Sequence, residues 1–219
     1  MMSATDVPPE IPPPGPRPRH PHPVPDAPAP APVVSPSTGF VEEPPSDARG
    51  ALLRRRRVML TGVLDEDAAT RAAAELMMLD GESGEPVEVI VNSDGGPLLA
   101  IPAVLDVIDL MRAPVATCCI GRAMGTAAIV LASGRGPRSA AGHAMIGLRL
   151  RDQHDISGRA SEIERFVEQL AHARDRVVAR LVRVTGLDER AVAHELDEGA
   201  PMTAQAARAR GLIDEIVAR

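Results

Sequence analysis

Lysine, tryptophan and tyrosine are absent from this 219-residue chain, and Phe40 and Phe166 are its only phenylalanines. A core must therefore come from Val, Leu, Ile, Met and Ala, and aromatic stacking on bases or sugars is not available. All 24 basic residues are arginine, a pattern of coding bias rather than of functional design. The net charge of −6 provides no basic field, so no nucleic-acid partner is expected. No apolar run approaches the roughly 20 residues that span a bilayer, and no membrane partner is expected. The N-terminus lacks the hydrophobic segment of a secretory signal. The two cysteines, Cys118 and Cys119, are adjacent and cannot form a disulfide framework; a reduced, cytoplasmic setting is the simplest reading.

What remains is 44% hydrophobic and 25% charged, the balance of a globular domain. Proline is concentrated at one end: 16 of 22 lie in the first 50 residues, in stretches such as Ile11-Pro-Pro-Pro-Gly-Pro16 and Pro28-Ala-Pro-Ala-Pro32. Proline lacks an amide donor and fixes φ, so residues 1–50 are expected to be a disordered, partly polyproline II tail. Such a tail is either a passive extension or a ligand for a partner module. The domain is expected over residues 51–219.

Within it, strand and helix patterns alternate. Strands are expected at Arg57–Gly62, Val87–Val91, Val115–Ile120 and Leu212–Val217. Helices are expected from Asp65 to Leu79, from Gly96 to Met111, from Met124 to Ala132, from Asp188 to Leu196 and from Thr203 to Arg210. The longest is expected from Gly158 to Thr185, its apolar residues recurring at three- and four-residue spacing. β-branched strands alternating with helices imply an α/β domain with a largely parallel, covered sheet.

Several motifs now stand in a recognisable order: Met59-Leu-Thr-Gly62, Val89-Ile-Val-Asn-Ser-Asp-Gly-Gly96, Cys119-Ile-Gly-Arg-Ala123, Leu131-Ala-Ser-Gly134, and finally Met202-Thr-Ala-Gln-Ala206 with Gly211-Leu-Ile-Asp214. This succession, over residues 52–217, resembles the ATP-dependent Clp protease proteolytic subunit family. The resemblance implies a crotonase-like, Clp-type superhelical βαβ fold with a protruding handle helix. It also implies two stacked seven-membered rings around a proteolytic chamber, with Clp-type subunits, self or an active paralogue, as partners. No cofactor and no metal is implied.

The family's chemistry uses a serine nucleophile, a histidine base and an aspartate that orients the histidine, with backbone amides facing the developing oxyanion. On this chain the resemblance puts Gly125 at the serine position, Gly147 after Met145-Ile146 at the histidine position, and Gly199, four residues before Thr203, at the aspartate position. None has a side chain. Thr126 is the nearest hydroxyl, but one residue along a helix turns a side chain by about 100°. His143 shares strand parity with Gly147, yet four residues at about 3.3 Å put it roughly 13 Å away. Asp197 and Glu198 have no histidine to orient. Cys118 and Cys119 read as small apolar strand residues. His154, His172 and His194 lack metal-ligand spacing and read as solvated surface.

What the family pattern retains is scaffold. Gly95 and Gly96, with Thr126, are the candidate oxyanion and peptide cleft; alternatively the two glycines only make a tight strand-to-helix turn. Asp94 stands where the family has proline and adds a negative charge there. On the long helix, Ile163, Phe166, Leu170 and Val177 form the candidate oligomer stripe, or else an intramolecular core face. Glu88 and Ile90 take the places of the aromatic residues that dock an unfoldase ATPase in the family, so docking by this subunit alone is not expected. The sequence therefore implies a non-catalytic structural or regulatory ring component. The alternatives are an active ATP-dependent serine-type endopeptidase and, remotely, acyl-CoA chemistry on the same fold.

Overall fold

In a computed structural model, the structure describes residues 46–150 and 159–217. The first described element is helix α1 (Ser46–Leu53), which begins ahead of Ala51, where the sequence placed the start of the domain. The expected tail up to residue 45, and His154, lie outside the described residues. Then follow β1 (Arg57–Val63), α2 (Glu66–Glu82), β2 (Val87–Gly95), a 3₁₀ turn at Leu98–Ala100, and α3 (Pro102–Leu110). The chain continues through β3 (Val115–Met124), α4 (Thr126–Ala132), β4 (Arg138–Ala141) and β5 (Met145–Gly147). It ends with α5 (Ala160–Thr185), α6 (Glu189–Glu198), β6 (Met202–Thr203), α7 (Ala204–Ala209) and β7 (Glu215–Val217).

The helix starts are set by short polar side chains. Asp65 accepts from the amide of Ala68 at 2.9 Å and Asp188 from that of Ala191 at 2.8 Å, satisfying donors that have no partner in the first turn. Gly186, in the left-handed region at φ 73°, ends α5. The helix expected from Gly96 is broken by the 3₁₀ turn and restarts with Pro102 in its first turn, where the missing amide costs nothing.

The sheet runs β1-β2-β3-β4-β7, all parallel, with β5 parallel to the outer half of β3 and β6 antiparallel to β5. On one face Val58, Leu60, Val87, Val89, Val91, Val115 and Cys119 are buried at period two, and α2 brings Ala69, Ala72, Leu76 and Leu79 to the same core. The other face differs from the covered sheet the sequence implied. Met59, Ile90 and Cys118 are only half-buried and Ile120 is exposed, because the buried apolar faces of the helices meet the first face alone. On the open face Glu88 pairs with Arg57 of the neighbouring strand, Nε to Oε2 2.7 Å.

Two further expectations need correction. The strand from Val115 does not stop at Ile120 but runs to Met124, so α4 begins at Thr126. A register irregularity lies between Val91 and Ser93, which pair with Cys119 and Ala123. Gly121, at φ 72°, accommodates it, and a Cβ there would lie 2.7 Å from Asn92 Oδ1. Past the irregularity the strand gains β5 as its new partner. At the C-terminus the strand is Glu215–Val217 only; Leu212 and Ile213 are buried in the core instead.

Candidate functional site

The carboxyl ends of β2 and β3 meet at the mouth of a cleft of about 930 Å³, lined among others by Gly96, Met124, Gly147, Leu170, Arg174 and Gly199. Ligand crevices of open parallel sheets lie at this end. The sheet register brings the three glycines singled out above to the same region. β5 pairs Gly147 with Met124, the amide of Gly125 donates to the carbonyl of Gly147 at 2.7 Å, and β6 follows Pro201, whose Cα would lie 3.3 Å from a Cβ on Gly147.

Each glycine has its own local reason. Gly125 sits at φ 52°, ψ −121° between β3 and α4, a conformation that L-residues rarely hold without strain. Space around it is open apart from the Arg149 carbonyl, 3.2 Å from an added Cβ. At Gly147 the Met124 sulfur occupies the room a side chain would take, 3.1 Å from the Cβ position. Gly199 caps α6, and its Cβ would collide with the Glu195 carbonyl at 2.3 Å.

Thr126 is fully buried. Its hydroxyl does not face a base: Oγ1 accepts from the amide of Gly96 at 2.8 Å and donates to the carbonyl of Gly96 at 3.2 Å. Gly95, at φ 84°, has its would-be Cβ 2.4 Å from the Met124 carbonyl, and that of Gly96 lies 2.1 Å from the Leu64 carbonyl. Both positions thus require glycine for close backbone approach. The charge that Asp94 adds is paired, its Oδ1 accepting from Arg122 at 3.0 Å. Asp197 is likewise held by Arg174 at 2.9 Å. Sequence reading missed both arginine partners, because each comes from another element.

His143, His172 and His194 are exposed, and none is among the cleft-lining residues. Among the described residues no three His, Cys, Asp or Glu side chains group as metal ligands. Cys119 is buried, and burial, with Cys118 beside it, pushes its thiol up to about 12, far from a reactive thiolate. On α5, Ile163, Phe166 and Leu170 are half-buried while Val177 is buried. The stripe therefore begins outside the core and ends in it. No helix among the described residues is long and apolar enough to cross a membrane.

A mostly parallel sheet with helices on one face, a long helix beside a cleft, and glycine-lined strand ends define a Clp-type α/β fold. The Clp protease family model matches residues 42–219, and the chain belongs to that family. It is similar to an ATP-dependent Clp protease proteolytic subunit-like protein of Streptomyces coelicolor, 34% identical over 175 residues. The match covers 78% of this chain and 83% of that one.

Proposed function

We propose that the protein is a non-catalytic member of the Clp proteolytic-subunit family, a structural or regulatory component of a ring built with itself or with an active paralogue. The observation that carries this reading is the chemistry of the cleft. Gly125, Gly147 and Gly199 stand where the family resemblance expects nucleophile, base and orienting carboxylate. The hydroxyl next to Gly125 in sequence, that of Thr126, is spent on Gly96. Acyl transfer by a hydroxyl needs an adjacent base, and among the described residues no imidazole lines this cleft. The half-exposed start of the α5 stripe and the half-exposed sheet face support an assembly role, since both leave apolar surface for another subunit.

The test is chemical. Purified protein should neither hydrolyse short fluorogenic peptides nor label with a serine-directed fluorophosphonate. Stoichiometric labelling, abolished by Thr126→Ala, would overturn the reading.

A further inference from the structure

The glycine pair at the cleft carries four backbone polar groups, and all four are bonded within the chain. The Gly95 amide donates to Ser93 Oγ at 3.0 Å, and its carbonyl accepts from the Leu64 amide at 2.9 Å. The Gly96 amide and carbonyl both meet Thr126 Oγ1. The stoichiometry closes, because a hydroxyl has one proton to give and lone pairs to receive. Thr126 gives to the carbonyl and receives from the amide. Ser93 likewise gives to the Gly62 carbonyl and receives from Gly95.

An extended polypeptide entering a cleft gains affinity from main-chain pairing with unpaired backbone groups. Gly96 lies at the cleft wall with its amide and carbonyl both turned to a side chain rather than to a neighbouring strand. We propose that Thr126 is an internal plug that occupies both pairing groups of Gly96 and so prevents an extended peptide from pairing its main chain with this glycine. A peptide could offer Gly96 only one acceptor and one donor, which the threonine already supplies without any loss of translational freedom. The exchange gains nothing, and the incoming strand still bears its own ordering cost. Ligands that do bind this cleft are therefore held elsewhere than at the Gly96 backbone, by side chains such as Leu170 and Arg174 among others. This inference rests on reading the cleft as a former peptide site.

The test compares the full-length protein with Thr126→Ala, which removes both the hydroxyl and the atoms that cover Gly96, and with Thr126→Ser, which keeps the hydroxyl. The probe is a fluorescein-labelled ten-residue peptide of Val, Ala and Ser, followed by fluorescence polarisation. Thr126→Ala should bind at least about tenfold more tightly than the other two, and its Gly96 amide should exchange faster with deuterium. Circular dichroism checks that it folds, and Thr126→Gly serves if it does not. Equal affinity across all variants, whether strong or absent, overturns the plug. Intact-mass analysis of the same samples separates the two readings. Unmodified protein that binds the probe as tightly as the variant without cutting it overturns the plug alone, whereas cutting overturns the non-catalytic reading as well.

Discussion

The amide of Gly125 donates to the carbonyl of Gly147 across 2.7 Å, tying the end of β3 to the end of β5 and bringing two of the three singled-out glycines together. A serine and a histidine built onto this backbone would start from adjacent strands. The third position is the more crowded, since a Cβ on Gly199 lies 2.3 Å from the backbone carbonyl of Glu195, whereas one on Gly147 lies 3.1 Å from the sulfur of a flexible methionine and 3.3 Å from the Cα of Pro201.

Rebuilding the set should fail at that third position. Gly147→Ala should cost less, about 1 kcal/mol, because Met124 can turn aside and the Pro201 backbone has only a few tenths of an ångström to give. Gly199→Asp should cost about 1–3 kcal/mol by overpacking, lowering the melting temperature by about 2–4 °C per kcal/mol in a domain of this size. The triple variant Gly125→Ser, Gly147→His, Gly199→Asp should then be less stable and still inactive toward fluorogenic peptides. Thermal denaturation of the single variants checks the order; a Gly199→Asp protein that melts with the parent contradicts it.

A second expectation concerns pH. Arg138, largely buried, donates to both carboxylate oxygens of Asp214 and to the carbonyls of Val184 and Gly211. The hydrogen bond from Arg138 holds the Asp214 carboxyl below its usual range, against the opposing pull of burial. A depressed folded-state pKa adds stability above the unfolded value of about 4, lost as pH falls through the folded one. Asp214→Asn should therefore melt lower than the parent at pH 7, by an amount worth roughly 1 kcal/mol because Asp214 is half-exposed. The two melting curves should converge as pH drops below about 4. A gap that is constant with pH would assign the loss to packing.

The N-terminal segment should divide at α1. Arg49 Nε reaches Glu75 Oε1 at 2.6 Å, and Glu75 Oε2 is buried with no hydrogen-bond partner. Arg49→Ala would leave this carboxylate without that ion pair, at a cost of roughly 1–3 kcal/mol. Deleting residues 1–41, where proline removes backbone donors and little apolar area is available to bury, should leave the melting temperature nearly unchanged. Calorimetry of the two proteins decides.

The stripe on α5 carries the assembly prediction. Aspartate at both Phe166 and Leu170 would place charge into any apolar contact made there. The double variant should show a lower oligomeric state in native mass spectrometry while retaining helix content by circular dichroism. An unmutated chain that stays monomeric, alone and beside every co-expressed paralogue, removes the ring-component reading.

The sequence by itself determined most of the elements and the family. Period-two valines at Val87, Val89 and Val91, caps at Asp65 and Asp188, and the stop at Gly186 are local signals, readable because each depends on residues within a turn or a strand pair. It also showed that glycine occupies positions 125, 147 and 199. Tertiary structure alone decided what those glycines touch. The extension of β3 past Gly121 depends on β5 arriving as a new neighbour, and the loss of the expected cover on one sheet face depends on where the helices pack. The pairing of Asp94 with Arg122 and of Thr126 with Gly96 joins residues 28 and 30 positions apart. No periodicity reports such contacts, because they are set by how strand ends converge once the core has closed.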